Sequence, residues 1–274
     1  MRPKTNVRYY RDHALPGIDV CRVAKSRHHF PEHFHDDLYI VSMITSGHCY
    51  CLGKERQEEV SGPGTVTLLN PGQIHTGTPA NESPLDYSLC YFSLKAMTDL
   101  ASDFMPGGGV PEFTASILKK PVLTAMMRHL LVTMMESRDS LEKEAVLVST
   151  LHFILSKYGL SGTSVAENRP QGHPVQKAKR LLASDLDQKL SLERVARIVG
   201  VSRFHFLRIF KENTGISPHL YRTLKRIELS KKLLSQDMPP AQVALETGFA
   251  DQSHFSNTFR RYVGATPRQY LESS

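Results

Sequence analysis

Two segments near the end of the 274-residue chain carry side chains suited to reading base edges in a DNA groove. Arg208 belongs to the segment RFHFLRIFKEN and could bridge a guanine through two hydrogen bonds, while the nearby Phe204 and Leu207 could meet thymine methyl groups. The second segment, QSHFSNTFRR, offers hydroxyl, amide and guanidinium groups. The chemistry that these residues predict is recognition of duplex DNA.

The helical period separates a buried face from an exposed face in each segment. At about 100° per residue, Phe206, Ile209 and Phe210 point inward in the first segment. Phe255, Thr258 and Phe259 do so in the second. The residues expected to face DNA are Arg203, Phe204, Leu207, Arg208 and Lys211, followed by Gln252, Ser253, Ser256, Asn257, Arg260 and Arg261.

The elements that must position these faces form a repeat. SLERVARIVGVSRFHFLRIFKENTGISP is followed about fifty residues later by PAQVALETGFADQSHFSNTFRRYVGATP. Each copy is typical of a short helix, a glycine turn and a second helix, which is the layout of a helix-turn-helix. We expect Ser191 and Ser202 to cap the first two helices and Ser217 to cap a joining helix at about 218–235. With both exposed faces in parallel, the copies would enter the major groove about 34 Å apart.

The joining helix carries its own row of cations. This row either meets the flanking DNA backbone or is a solvated helix face, and the sequence favours neither. Its members are Arg222, Lys225, Arg226, Lys231 and Lys232.

The charge distribution agrees with the repeat. Residues 170–274 hold 17 lysines and arginines against 9 acidic residues, whereas residues 1–169 hold 17 against 18. The basic surplus therefore coincides with the motifs, as neutralisation of phosphates requires.

The rest of the chain predicts an α+β multidomain protein with an all-α carboxyl-terminal domain. Short apolar runs between glycine and proline turns predict a β-barrel over 20–113, after an amino-terminal arm at 1–19. Two helices at about 121–136 and 140–158 lie in a helical dimerisation segment, 114–158, in which Leu141, Ala145 and Val148 continue the expected apolar stripe of the second helix. A linker at 159–173 then precedes a DNA-binding domain at 174–274.

The carboxyl-terminal half resembles the AraC/XylS family of bacterial transcription regulators. The resemblance implies two DNA-binding motifs, base contacts at Phe204, Leu207, Arg208, Ser253 and Asn257, and contact with RNA polymerase by an activator. The residues that carry it are Ala196, Gly200, Ser202, Phe206, Arg208, Phe210, Lys211, Gly215, Ser217, Pro218 and Tyr221, and then Ala244, Gly248, Phe249, Asp251, Ser253, Phe255, Phe259, Arg260, Gly264, Thr266, Pro267 and Tyr270.

The amino-terminal half resembles the cupin barrel that many such regulators carry. His33 and His35 stand in the first cupin box and His75 in the second, with Tyr39 or Ile40 in place of the usual glutamate and Asn70 in place of a proline. Three imidazoles could hold a divalent metal with one open position, or could hydrogen-bond a ligand or each other. Because the carboxylate is missing, we expect no metal or cofactor and assign His33, His35, Tyr39 and His75 to an effector pocket.

These features predict a dimeric regulator that binds promoter DNA and a small-molecule effector. The alternative is a metal-dependent cupin enzyme with an appended helical domain, but the sequence has no nucleophile elbow, phosphate loop or nucleotide fingerprint. No apolar stretch approaches the roughly 18 residues of a membrane span. We expect a cytoplasmic protein in which Cys21, Cys49, Cys51 and Cys90 are reduced thiols.

Overall fold

The structure is a computed structural model that describes residues 5–52, 58–80, 83–102, 105, 109–162 and 174–272. The chain divides into two compact units near residue 164. Among the described residues, the helices are all too short or too polar to cross a membrane.

In the part that the structure describes, the first unit contains three antiparallel sheets and three helices. The sheet orders are β1-β2-β9-β4-β7-β11, β3-β8-β5-β6 and β10-β12. The elements are β1 (Asn6–Arg11), β2 (Ile18–Ser26), β3 (Phe30–His33), β4 (Leu38–Ser46), β5 (Cys49–Leu52), β6 (Glu58–Ser61), β7 (Val66–Leu69), β8 (His75–Pro79), β9 (Leu85–Ser93), α1 (Leu94–Ser102), β10 (Val110–Phe113), β11 (Ile117–Leu118), α2 (Pro121–Glu136), α3 (Ser140–Tyr158) and β12 (Gly159–Gly162).

Strands β4 and β7 of the six-stranded sheet are buried on both faces. On β4, Tyr39, Val41 and Met43 pack into the core with α1, α2 and α3. Ile44 points to the other face of β4 and joins Cys49 of the four-stranded sheet in a smaller apolar cluster. Because both faces are covered, the run LYIVSMIT shows no clean alternation of apolar and polar residues.

Helices α2 and α3 begin and end where the sequence predicts. Pro121 opens α2, and the Asp139 carboxylate caps α3 by accepting from the Leu141 backbone N–H at 2.9 Å. The predicted stripe of α3 is partly wrong, because Leu141 is 74% exposed. The buried face is centred between Leu147 and Leu151, and Leu141 lies about 100° around the helix from it.

Two predicted boundaries also differ from the structure. The predicted arm at 1–19 contains β1, whose residues 6–11 pair with β2 and complete the six-stranded sheet. The predicted linker begins with a strand, because residues 159–162 pair with β10. The alternation of apolar and polar residues is weak in both short strands, so their pattern does not predict a strand clearly. Residues 1–4 of the arm and 163–173 of the linker lie outside the described residues.

Over its described residues, 174–271, the regular elements of the second unit are all helices, and the unit repeats one local construction. The first helix-turn-helix is formed by α5 and α6, the second by α8 and α9, and α7 joins them. The elements are α4 (Pro174–Ala183), α5 (Leu192–Ile198), α6 (Arg203–Thr214), α7 (Pro218–Leu234), α8 (Pro240–Glu246), α9 (Gln252–Val263) and α10 (Pro267–Glu272).

Each helix-turn-helix has an aromatic core with matching geometry. Phe206 packs edge-on against Phe210 at 5.5 Å between ring centroids, and Phe210 against Tyr221 at 5.6 Å. In the second copy the Phe255–Phe259 pair is at 5.5 Å, and Phe259 lies 5.6 Å from Tyr270. Such pairs stabilise the packing beyond the area that they bury. The repeated aromatic spacing in the sequence thus produces two similar cores.

Candidate functional sites

Helix α6 presents the face that the sequence predicts. The Ser202 hydroxyl caps the helix by accepting from the His205 backbone N–H at 3.3 Å, and Gly215 ends it with φ at 75°. Phe206 and Phe210 are fully buried, whereas Phe204 is 81% exposed. The other predicted DNA-facing residues of this helix, Arg203, Leu207, Arg208 and Lys211, are also exposed.

His205 orients the guanidinium of Arg208. Arg208 Nη2 lies 3.3 Å from His205 Nδ1, and the guanidinium can only donate, so Nδ1 accepts. Sequence reasoning missed His205, although its i, i+3 spacing from Arg208 on an exposed helix face is a readable signal.

Helix α9 presents the second face. Its cap is Asp251, whose carboxylate accepts from the His254 backbone N–H at 2.7 Å. Buried Tyr262 lies 5.6 Å from the Arg261 guanidinium and supports it. Ser256 is half-buried, while Gln252, Ser253, Asn257, Arg260 and Arg261 are exposed.

The cation row of α7 is largely structural. Arg222 is buried and donates to the backbone carbonyls of Leu182, Ser184, Asp185 and Gln188 at 2.7–3.1 Å. Burial lowers the pKa of Arg222, and the nearby Asp185 and Asp187 partly oppose this. Neither predicted role holds for this residue, because Arg222 fastens α7 to the segment between α4 and α5.

Two further members of the row are engaged inside the unit. Arg226 Nε donates to the Leu186 carbonyl at 3.1 Å, and Lys225 forms a 2.7 Å ion pair with Glu228. The Leu186 carbonyl lies forty residues from Arg226 along the chain. The helical period alone therefore could not distinguish Arg226 from a solvent-facing cation.

Three of the four residues assigned to an effector pocket come together in the first unit. His33 and His75 are paired across β3 and β8, and their ring centroids are 4.2 Å apart. The His35 ring lies 5.2 Å from that of His33 and 5.3 Å from that of His75. One potential ligand atom from each of the three residues lies within 4.8 Å of the others. We call this group the histidine cluster.

Backbone carbonyls fix the orientation of two rings in the histidine cluster. His33 Nδ1 lies 2.8 Å from the Pro31 carbonyl oxygen, and His75 Nδ1 lies 2.9 Å from that of Gln73. A carbonyl oxygen can only accept, so each Nδ1 carries a proton. In the neutral ring the lone pair is then on Nε2.

A tight turn before β8 holds the histidine cluster in place. Gly72 has φ at 75°, and its N–H donates to the His35 carbonyl at 2.6 Å. The Asn70 side chain exchanges two hydrogen bonds with the backbone of Phe113, at 2.8 and 2.9 Å. Gln73 donates from Nε2 to the Ser116 hydroxyl at 3.0 Å. Asn70, which departs from the cupin pattern, therefore ties this turn to β10.

Tyr39 does not join the histidine cluster, and its contact with an effector stays a prediction. Its side chain is fully buried in the core with the helices, and its hydroxyl donates to the Pro111 carbonyl at 2.6 Å. Burial raises its pKa. Tyr91 does approach the cluster, and its ring lies 6.5 Å from that of His35. Tyr91 of β9 pairs with Ile40 of β4, and Ile40 points to the opposite face of β4 from Tyr39.

Two family models match the chain. An AraC-like ligand binding domain matches residues 15–151, and a helix-turn-helix domain matches residues 195–273. Since these models describe ligand binding and DNA binding, the comparisons do not favour the alternative of a metal-dependent cupin enzyme.

Sequence relatives cover both units. The helix-turn-helix transcriptional regulator YbfI of Bacillus subtilis strain 168 is 30% identical over 238 residues, which are 86% of this chain and 85% of YbfI. The multiple antibiotic resistance protein MarA of Escherichia coli K12 is 34% identical over 90 residues, which are 32% of this chain and 71% of MarA.

Solved structures share the fold. ToxT from Vibrio cholerae O395 has a TM-score of 0.58 at 17% identity and covers 98% of this chain and 97% of its own. ToxT from strain SCE256, solved with an unsaturated fatty acid bound, has a TM-score of 0.56 at 17% identity, with 97% and 94% covered. At this identity the likeness is one of fold.

Proposed function

The chain belongs to the AraC/XylS family of transcription regulators, and from this premise we propose that it activates promoters to which α6 and α9 bind, under the control of a small molecule held at the histidine cluster. It combines an AraC-like ligand-binding domain with a helix-turn-helix DNA-binding domain. The observation that carries the proposal is the repeated pairing of a buried aromatic core with an exposed polar face in α6 and α9.

The proposed DNA contacts are the exposed residues of these two helices. Arg208, held by His205, would bridge a guanine, and Phe204 and Leu207 would meet thymine methyl groups. Arg203, Lys211, Gln252 and Arg261 flank these positions and would contact phosphates or base edges. The second helix would read bases through Ser253, Ser256, Asn257 and Arg260.

The proposed effector site is the histidine cluster with Tyr91 beside it. Its buried rings are oriented by backbone carbonyls, so they could hydrogen-bond a ligand in one fixed geometry. ToxT, which shares the fold, has been solved with a fatty acid bound. This supports a small molecule as the class of effector.

We also propose that the chain acts in the cytoplasm as a homodimer that contacts RNA polymerase. The exposed Val122 and Val132 on α2, together with Leu141 on α3, supply apolar surface in the segment that we assign to dimerisation, 114–158. A dimer would bring two DNA-binding domains to one promoter and raise affinity through effective concentration. In this proposal the DNA-binding domain spans 174–274 and its promoter targets lie in the cytoplasm.

The proposal is tested by binding of the full chain to promoter fragments found by genome-wide mapping of its bound sites. Arg208→Ala and Asn257→Ala should each weaken binding to these fragments by about 1–3 kcal/mol, or roughly 5- to 150-fold, and relax the preferred sequence. Arg128→Ala removes an exposed cation of the first unit and should leave the preferred sequence unchanged. Unchanged affinity and sequence preference in both recognition variants would refute the assignment of base contacts.

A further inference from the structure

The histidine cluster brings together three imidazole rings, two of which are almost fully shielded from solvent. His33 and His75 are 4% and 9% exposed, and His35 is half-buried. Their ring centroids are 4.2 Å apart, and imidazole binds a metal in its neutral form.

The tautomers of the cluster match those of metal-ligating histidines. In such sites the ring nitrogen that does not bind the metal donates its proton to a carbonyl or carboxylate, which sets the ring orientation and makes the other nitrogen more basic. His33 and His75 each donate from Nδ1 to a backbone carbonyl, at 2.8 and 2.9 Å. In each neutral ring the lone pair therefore lies on Nε2.

The spacing of the donors is close to that of a coordination sphere. Zinc–nitrogen distances of about 2.0–2.1 Å in a tetrahedral site place the ligand nitrogens about 3.3 Å apart. The ligand atoms of the cluster already lie within 4.8 Å of one another. The longest of these separations therefore exceeds the tetrahedral spacing by at most about 1.5 Å.

The supporting contacts restrain the backbone that carries these rings. The His35 carbonyl accepts from Gly72, and Gln73, whose carbonyl orients His75, is held through its side chain by Ser116. A metal site requires such outer contacts as well as its ligands. His35 is the partly exposed member, so the cluster can be reached from solvent on its side.

Against the expectation drawn from the missing carboxylate, we propose that His33, His35 and His75 form a site for one divalent transition-metal ion, with Nε2 of His33 and Nε2 of His75 as two of the ligand atoms. Three imidazoles suit Zn²⁺, Co²⁺ or Ni²⁺ and leave a position open in a tetrahedral site. This inference rests on the proposed function of the cluster as the effector site, and it names the chemistry of that site: the ion takes the fourth ligand from an oxygen or nitrogen donor of the effector.

The test uses the full chain, stripped with a chelator and titrated with Co²⁺ and then with Zn²⁺. We expect one ion per chain, the visible absorption of four-coordinate Co²⁺, and its loss when Zn²⁺ displaces Co²⁺. His35→Ala and His75→Gln should each weaken Zn²⁺ binding at least about tenfold. His129→Ala removes an exposed histidine of α2 and should bind as the unaltered chain does.

Two results would overturn the metal site: a stripped chain that takes up no ion, or His35→Ala binding Zn²⁺ as tightly as the unaltered chain. His35→Ala decides the matter if His75→Gln, at a buried position, fails to fold. Binding of promoter DNA by the stripped chain is measured in parallel. Sequence-specific DNA binding without any uptake of metal rejects the metal site and leaves the proposed regulator intact.

Discussion

Phe204 and Phe206 are two residues apart on α6 but have opposite surroundings. Phe206 is fully buried, while Phe204 is 81% exposed. We expect Phe206→Ala to lower the free energy of unfolding by about 3–5 kcal/mol, because it leaves a cavity in the aromatic core. Phe204→Ala should change stability by less than about 0.5 kcal/mol and should weaken binding to promoter DNA. Urea unfolding and DNA titration of both variants provide the comparison.

The thiols of Cys49 and Cys51 form a hydrogen-bonded pair on β5, with their sulfur atoms 2.9 Å apart. Once Cys51 is deprotonated, the Cys49 thiol can donate to it, which lowers the pKa of Cys51. The same pairing and burial raise the pKa of Cys49, and burial raises the pKa of Cys90 to about 12. Because the thiolate is the nucleophile, Cys51 should react with iodoacetamide at lower pH than the other two.

Mass spectrometry of the native chain alkylated at increasing pH measures this order. Cys49→Ala removes the donor, so the alkylation of Cys51 should move to higher pH. Cys90→Ala changes a buried cysteine of the six-stranded sheet and should leave the Cys51 profile in place. An identical profile in the unaltered chain and in Cys49→Ala would show that the hydrogen bond does not control the acidity of Cys51.

At the scale of elements, the turn glycines of the two motifs are not equivalent. Gly200 and Gly248 both have positive φ, at 79° and 74°. Among the described residues, nothing lies within 4 Å of a Cβ built at Gly200. A Cβ at Gly248 would overlap the Leu186 carbonyl oxygen and lie 2.9 Å from the Asp187 Cα. Gly248 is thus packed against the segment between α4 and α5.

Alanine at these two positions should separate backbone strain from steric overlap. Gly200→Ala should lower the free energy of unfolding by about 1–2 kcal/mol, the cost of left-handed backbone for an L-residue. Gly248→Ala should cost clearly more, since backbone atoms must also move. Thermal unfolding of the two variants measures the difference. Equal losses of unfolding free energy in the two variants would mean that the segment beside Gly248 moves aside without a further loss of stability.

The helices of the second unit could be predicted closely because their signals are local. Ser191, Ser202 and Ser217 each cap the helix that the sequence assigns to them. The roles of Tyr39 and Arg222 could not be predicted in this way. The face of β4 that meets the histidines depends on strand pairing, and the partners of Arg222 lie 34 to 40 residues away. Tertiary contacts therefore decided where these two side chains lie.

At the scale of the whole molecule, the histidine cluster is linked to the end of the first unit. The turn that holds His75 contains Asn70, which bonds to Phe113 of β10, and Phe113 pairs with Gly159 of β12. The strand β12 is the last described element before the second unit. A hydrogen-bonded route therefore runs from the cluster to the segment that leads to the DNA-binding domain.

Asn70→Ala should loosen that end of the first unit. Without the two Asn70 bonds, Phe113 loses its anchor, so the amides of residues 159–162 should exchange with solvent faster. Hydrogen-exchange mass spectrometry measures this, with Asn6→Ala on β1 as the control that leaves the rate unchanged. Unaltered protection of residues 159–162 in Asn70→Ala would mean that β10 and β12 stay paired without the turn.

The two recognition helices lie in one polypeptide and carry different side chains, with phenylalanine, leucine and arginine on α6 and serine, asparagine and arginine on α9. A stretch of duplex that is read by two different helices is asymmetric, whereas a palindrome is the same in both directions. Each bound chain would therefore face one way along the chromosome. Inverting the site would therefore reverse the orientation of the bound chain relative to the gene that it regulates.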